Sequence, residues 1–191
     1  MIARRMNEDP MFGVVLIRSG REVEDQPEVH AVGTAASLLE AVRYNDGRYD
    51  IAVRGGRRFN VIGGKWDEGY LTGTIEWLPD ADPATSSGED AARLTDQVRL
   101  AFDAYLEAFE RRAGIRVERA ELGHDPGEIG YAICSMMPFD APKRQRLLEA
   151  PGPESLLEDL LGMLRREREL LVSTGIGGAK IDHPGTRFST N

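Results

Sequence analysis

The spacing of apolar residues changes at residues 79–88, and this change constrains the fold of the chain more than any other feature. Before that segment, apolar and polar residues tend to alternate, as in half-buried β-strands. After it, apolar residues recur every three to four positions, as on one face of an amphipathic helix. The segment itself reads PDADPATSSG and shows no period, which is typical of a connecting segment. The sequence therefore predicts an α+β protein in which a sheet precedes the helices.

Three regions follow from this division. Residues 1–82 are predicted to be β-rich, and residues 83–175 are predicted to form a helical bundle. Residues 176–191 are glycine-rich and carry no apolar stripe, so we expect them to form a flexible tail.

Short antiparallel strands joined by glycine-rich turns are predicted for the β-rich region. The β-branched run at residues 12–17 is typical of a strand buried on both faces. A longer stretch at residues 32–44 ends at Asp46-Gly47, and an Asp-Gly pair provides the positive φ angles of a tight hairpin. Further strands are predicted at residues 49–54, 58–62 and 70–77, with turns at Gly55-Gly56 and after Gly63-Gly64. Strands of this kind favour a sheet that closes toward a barrel.

Four helices are predicted for the second region. Its first helix has one apolar face, formed by Leu94, Val98, Phe102, Tyr105 and Phe109. Proline and glycine, which end helices or occupy their first turn, mark the other boundaries. The predicted helices run from a cap at Ser86 or Ser87 to Gly114, over residues 127–137 and 142–149, and from Pro153 through a leucine stripe at 156–164.

The motifs argue against catalysis. The chain contains no G-x-x-x-x-G-K-[ST] phosphate loop and no G-x-S-x-G serine motif. Its single cysteine, Cys134, lies in an apolar stretch and is predicted to be a buried hydrophobic residue rather than a nucleophile. Ser135 and Lys143 could form a serine–lysine pair, but Pro138 separates them and nothing in the sequence would lower the lysine pKa. We therefore predict no catalytic residues.

Composition limits the classes of ligand that the chain is expected to bind and the cellular compartment in which it is expected to lie. The net charge of −8 works against binding to nucleic acid, which needs a surplus of cations. The three histidines lie far apart and lack partners at metal-ligand spacing, so no metal and no cofactor are predicted. No window approaches the length of a membrane span, and the first ten residues lack the apolar core of a signal peptide. Cytoplasm is the expected location, with no membrane contact.

The aromatic residues of the β-rich region supply the candidate binding site. Trp66 is predicted to lie in a polar turn at residues 64–69, where an exposed tryptophan is a better binding residue than a buried one. A tryptophan that folds back over the mouth of a barrel is the alternative. The candidate peptide-binding residues are Trp66, Tyr70, Phe59, Arg57 and Arg58.

The order of these segments resembles a known family. Its motifs are the strand at residues 12–17, V-G-T-A at 32–35, D-G-R-Y-D at 46–50, G-G-R-R-F at 55–59 and E-W-L-P at 76–79. Together with the helical region they resemble, over most of residues 3–172, the N-terminal substrate-binding domain of Lon proteases. The resemblance implies a PUA-like pseudo-barrel followed by a helical bundle. It does not imply ATP hydrolysis or proteolysis, because the chain ends before those domains of Lon would begin and is expected to be a stand-alone member.

One departure from the family pattern concerns the start of the chain. Family members usually open with a strand that reads like L-P-L-F-P-L, whereas this chain begins at Ile2-Ala-Arg-Arg-Met6, inside the helix that would follow. Either the start site is mis-set or the barrel is incomplete. An incomplete barrel would have an open sheet edge that pairs with another chain, so an oligomer is one expectation.

The resemblance leaves three functions to compare. The first is a non-catalytic module that binds unfolded or extended polypeptide segments, in quality control or as a proteolytic adaptor with a protease or chaperone as partner. The second is an RNA-binding PUA-like module, supported by the basic run from Arg54 to Lys65. The third, a hydrolase that uses Ser135 or Cys134, is the least favoured.

Overall fold

A computed structural model of the chain describes residues 2, 9–20, 27–67, 70–79 and 89–173. It divides into two compact units. The described residues up to 79 belong to a β unit, and residues 89–173 belong to a helical unit. The predicted α+β class is confirmed.

An antiparallel sheet forms the main part of the β unit. Within the described part of the chain, it has four strands in the order β1-β4-β5-β6, so β1 and β6 lie at its two edges. Strand β2 pairs with β3 in a separate small sheet. Every pairing is antiparallel. The strands are Met11–Val14 (β1), Ile17–Ser19 (β2), Glu28–Val29 (β3), Val32–Arg43 (β4), Tyr49–Asp67 (β5) and Tyr70–Trp77 (β6).

The hairpin predicted at Asp46-Gly47 is confirmed. Gly47 has a φ of 89°, which lies in the left-handed region that glycine adopts without strain. The amide of Tyr44 donates to the carbonyl of Arg48 at 2.9 Å and closes the turn between β4 and β5.

The turns predicted at the two glycine pairs are wrong. Strand β5 runs for 19 residues through Gly55-Gly56 and through Gly63-Gly64. Shifts in register accompany each pair, so the glycines coincide with β-bulges rather than chain reversals. A Cβ atom on Gly64 would lie 2.9 Å from the carbonyl oxygen of Thr72, so glycine is needed here for the close approach of β6.

The prediction of one strand buried on both faces at residues 12–17 is also wrong. The run divides into β1 and the start of β2, and Met11 and Val14 are exposed. Among the described strands, β1 lies at an edge of the sheet and pairs only with β4.

Phe59 is the largest buried side chain of the β unit, and two glycines make room for its ring. A Cβ atom on Gly13 would lie 2.9 Å from its Cζ atom, and one on Gly33 would lie 2.7 Å from the same atom. Phe59 itself is 3% exposed. Strands β1, β4 and β5 therefore pack closely around this ring.

Replacement of Gly33 by alanine is expected to destabilise the β unit by about 1–3 kcal/mol, because the added methyl group overpacks a filled site. It would also lie within 2.7 Å of the Val14 carbonyl oxygen, which backbone pairing holds in place. Urea unfolding followed by tryptophan fluorescence measures the loss, since both tryptophans of the chain, Trp66 and Trp77, lie in this unit. Gly55→Ala is the matched control, because a Cβ atom there meets nothing within 4 Å. Equal losses in the two variants would contradict this account.

The helical unit contains four described helices close to the predicted positions. Gly114, with a φ of 68°, follows the first helix as predicted. Asp125 and Asp140 cap the next two helices by accepting hydrogen bonds from the amides of Glu128 and Lys143. The predicted cap at Ser86 or Ser87 and the predicted tail lie outside the described residues. The helices are Glu89–Ala113 (α1), Pro126–Met136 (α2), Ala141–Leu148 (α3) and Pro153–Ser173 (α4).

One apolar core holds the four helices together. Its centre is the leucine stripe of α4, in which Leu157, Leu160 and Leu164 are fully buried. Lys143 bonds to Glu167 and Arg146 bonds to Asp159, so two ion pairs join α3 to α4 at the margin of the core. No helix among the described residues combines the length and the apolar character needed to cross a membrane.

Candidate functional site

The pairing of β5 with β6 places a strip of apolar side chains on one face of the hairpin. Residues that lie directly opposite each other on paired strands project to the same face, as do alternate residues of one strand. The register pairs Phe59 with Trp77, Val61 with Ile75, and Trp66 with Leu71. We call these six side chains the aromatic face.

A β-bulge at Ile62 makes this face continuous. Phe59 and Trp66 are seven residues apart, so in a regular strand they would project to opposite faces. The register shifts between Val61 and Gly63, which leaves Ile62 as an extra residue and returns Trp66 to the face of Phe59. The prediction that Trp66 lies in a polar turn is therefore wrong, because it is a half-buried residue of a strand.

Trp77 is the most prominent residue of the aromatic face. Its ring meets the ring of Phe59 edge to face, with centroids 6.2 Å apart and planes at 85°. The guanidinium of Arg57 lies 5.1 Å from the centroid of Trp77, within cation–π distance. Trp77 nevertheless remains 41% exposed, and Ile75 on the same strand is 37% exposed. The buried Phe59 thus orients an exposed tryptophan that has a cation above it.

Sequence reasoning grouped Trp77 with the core aromatics and missed it as a candidate. The alternation of residues in β6 predicts which side of the sheet each side chain lies on. It does not predict whether another part of the protein covers that side. What covers the face depends on which strands lie beside β6, and no local signal in its sequence gives that order. Among the described strands, β6 pairs only with β5.

The structure brings together three of the five predicted residues. Phe59 is buried beneath Trp77, Arg57 lies over Trp77, and Trp66 shares their face. Arg58 and Tyr70 lie on the opposite face, since Arg58 is opposite Thr34 and Tyr70 precedes the face residue Leu71. Phe59 therefore supports the face from within, while Arg57 and Trp66 lie closer to its surface.

The geometry around Ser135 and Lys143 does not resemble a serine–lysine pair. The Ser135 hydroxyl donates to the carbonyl of Ala132 at 2.7 Å. The Lys143 amine donates to Glu167 Oε1 at 2.6 Å, and this hydrogen bond raises the lysine pKa. A general base needs a lysine whose pKa is lowered, so the shift has the opposite sign.

Cys134 occupies the environment predicted for it. Its side chain is buried in the helical core, and burial raises the pKa of its thiol despite the opposing effect of Arg144. A nucleophilic cysteine requires a lowered pKa and access to a substrate. Within the described part of the chain, no group of three or more His, Cys, Asp or Glu side chains is arranged to hold a metal ion.

Comparisons with known proteins give these observations a family context. Residues 1–166 match the family model of the ATP-dependent protease La (LON) substrate-binding domain. Lon protease 1 of Syntrophobacter fumaroxidans is 27% identical over 161 residues, which cover 84% of this chain and 19% of that protein. Lon protease 1 of Thermus thermophilus is 28% identical over 152 residues, which cover 78% of this chain and 19% of that protein.

A solved structure shows the same fold. The N-terminal domain of the Mycobacterium avium complex Lon protease matches 81% of this chain and 89% of its own, with a TM-score of 0.55 and 18% identity. The chain spans about one-fifth of the length of the curated Lon proteases named above. The resemblance inferred from the sequence motifs is thus confirmed, and the chain belongs to the LON substrate-binding domain family.

Proposed function

We propose that the β unit binds unfolded or extended polypeptide segments through the aromatic face. The observation that carries the proposal is the pair of exposed apolar side chains, Ile75 and Trp77, on an edge strand with Arg57 beside them. Tryptophan and arginine are the residues most often found at binding hot spots. The membership in a family of substrate-binding domains supports the same function.

The proposed binding surface is preorganised. The ring of Phe59 fixes Trp77 from below and the guanidinium of Arg57 covers part of its upper face, so little side-chain freedom is lost when a ligand binds. The exposed part of Trp77 offers a large apolar area to an unfolded segment. Since folded proteins bury most of their own apolar side chains, such a surface selects chains that have not folded.

Replacement of Trp77 by alanine is expected to weaken binding by about 30-fold, the effect of a hot-spot loss of about 2 kcal/mol. Fluorescence anisotropy of a labelled, permanently unfolded protein, such as reduced and carboxymethylated lactalbumin, measures the dissociation constant. Tyr44→Ala is the matched control, because Tyr44 is a similarly exposed aromatic residue in the turn that follows β4. Absence of saturable binding at high micromolar concentration, or equal affinities for the two variants, would reject the proposal.

We also propose that the chain passes its bound segments to a protease or chaperone, as an adaptor or in quality control. The support is that its curated relatives are Lon proteases that contain the matching region as about one-fifth of their length. Addition of the chain to a purified Lon protease should change the degradation rate of an unfolded substrate, and Trp77→Ala should abolish the change. An unchanged rate with the unaltered chain would contradict the adaptor role.

The RNA-binding alternative gains no support from the geometry of the basic run. Arg57 lies on the aromatic face, whereas Arg58 and Lys65 project from the opposite face of β5. The run therefore divides between two faces of the sheet instead of forming one cationic surface. A phosphate backbone is bound by cations that act together, so this arrangement is unfavourable for RNA.

A further inference from the structure

We propose that the polypeptide bound at the aromatic face joins the sheet as an added antiparallel strand along β6. In this arrangement, apolar side chains at positions i and i+2 of the ligand lie opposite Ile75 and Trp77. The inference rests on the proposed function, which it extends by naming the class of segment bound. That class is an extended segment with alternating apolar residues, as opposed to an amphipathic helix or an unstructured apolar run.

The hydrogen-bond pattern of the hairpin shows which backbone groups of β6 face outward. The amide of Leu78 donates to the carbonyl of Arg58 at 3.0 Å, so these two residues form a hydrogen-bonded pair. Hydrogen-bonded and non-hydrogen-bonded pairs alternate along an antiparallel ladder. The next pair, Phe59 and Trp77, is therefore non-hydrogen-bonded, and the N–H and C=O of Trp77 project away from β5.

A second hydrogen bond leads to the same result for Ile75. The amide of Val61 donates to the carbonyl of Ala31 at 2.8 Å, so it points toward the β4 side of the sheet and not toward β6. Val61 and its partner Ile75 thus also form a non-hydrogen-bonded pair. Ile75 and Trp77 consequently present their backbone donors and acceptors on the outer edge of β6, which pairs with no other described strand.

The outward backbone groups and the exposed side chains belong to the same two residues. In an antiparallel ladder, a ligand residue opposite such a position exchanges both hydrogen bonds with it and places its side chain on the same face. Two ligand residues, i and i+2, therefore form both the backbone bonds and the apolar contacts. A helix brings residues i and i+4 to one face, so it cannot reproduce this spacing.

A second copy of this chain fits the edge less well than a foreign segment. A two-fold pairing of β6 with itself that joins Ile75 to Trp77 of the other copy places Glu76 directly opposite its counterpart in a close, non-hydrogen-bonded pair. Like charges in that position are destabilising. A register that joins Ile75 to its counterpart leaves Trp77 opposite Gly73, where it gains no side-chain contact. A register that joins Trp77 to its counterpart places Ile75 opposite Pro79, which has no N–H to donate.

Backbone methylation of a short ligand tests the proposal. The probe is a labelled peptide, Lys-Thr-Ile-Ser-Phe-Ser-Lys, with apolar residues at alternate positions. Methylation of the Ile and Phe amides should weaken binding to the full chain about tenfold, because two hydrogen bonds to β6 are lost. Methylation of the Ser amide between them should leave affinity within about twofold, since that N–H points to solvent. A peptide with Ile and Phe four positions apart should bind at least about tenfold more weakly.

These experiments distinguish a failure of strand addition from a failure of the proposed function. If Trp77→Ala weakens binding but the two methylated peptides bind equally, the aromatic face binds polypeptides without strand addition, and this inference is wrong while the proposed function stands. If neither the peptide nor unfolded lactalbumin binds, the proposed function is wrong. Sedimentation equilibrium tests whether a second copy occupies the edge instead. A dimer that persists when the peptide is added, but that dissociates in the Trp77→Ala variant, would show that it does.

Discussion

Replacement of Phe59 by alanine is expected to lower the free energy of unfolding of the β unit by about 3–5 kcal/mol, the cost of removing a fully buried aromatic ring. Two features of the packing around Phe59 lead us to expect a loss of stability in the upper part of this range. The ring fills the space above Gly13 and Gly33, which have no side chains to move into the cavity. Its loss also removes the edge-to-face contact with Trp77, and such contacts contribute about 0.5–1.5 kcal/mol beyond area burial.

Urea unfolding monitored by tryptophan fluorescence measures this effect, because the signal arises from Trp66 and Trp77 in the same unit. With a slope of about 1–3 kcal/mol per molar urea, the midpoint should fall by at least about 1 M. Ile62→Ala on the same strand is the control, since Ile62 is exposed and should change the midpoint little. A Phe59→Ala midpoint close to that of the control would show that the ring is not the centre of this packing.

Replacement of Leu160 by alanine is expected to destabilise the helical unit by about 2–5 kcal/mol. Leu160 is fully buried in the middle of α4, within the core that all four helices share. Interiors are close-packed, so the cavity left by the isobutyl group is only partly refilled. The ion pairs between α3 and α4 add little to the stability that remains, because such partly exposed pairs each contribute only about 0–1 kcal/mol.

Circular dichroism in the helical band monitors this unit, which contains the described helices α1–α4. Leu100→Ala is the matched control, because Leu100 is also a helical leucine but is largely exposed. The account predicts a clear loss for Leu160→Ala and a change of about 0.5 kcal/mol or less for the control. Similar losses for both leucines would mean that α4 does not form the centre of the core.

The helices could be predicted almost to the residue because their limits are encoded locally. Asp125 and Asp140 accept hydrogen bonds from amides three residues ahead, and Gly114 adopts the left-handed conformation that follows a helix end. Each of these signals is present in a few consecutive residues. The apolar period of α1 then identifies its buried face without knowledge of what packs against it.

The strands were harder to predict because glycine pairs permit both turns and bulges. The signal at Gly63-Gly64 is the same in either case, and the outcome depends on a non-local feature, the close approach of Gly73 on β6. The face of Trp66 depends in turn on the bulge at Ile62, which simple alternation does not reveal.

Only part of the candidate site could be predicted, because the rest of it also depends on non-local features of the sheet. Alternation and composition identified Phe59 and Arg57, and the register of the sheet placed them beside Trp77. Whether Trp77 is covered depends on the order of the strands, and the order is a property of the whole sheet rather than of any segment. A residue assigned to the core by sequence can therefore lie at an exposed edge.

The most direct test of the central claim is a titration of the ¹⁵N-labelled chain with unfolded lactalbumin, followed by NMR. The two indole N–H signals and the backbone amides of β6 report on the aromatic face. The account predicts that saturable shifts concentrate at Ile75 and Trp77, including the Trp77 indole, and that the amides of α1–α4 change little. Shifts concentrated in the helical unit, with the β6 signals unmoved, would contradict it.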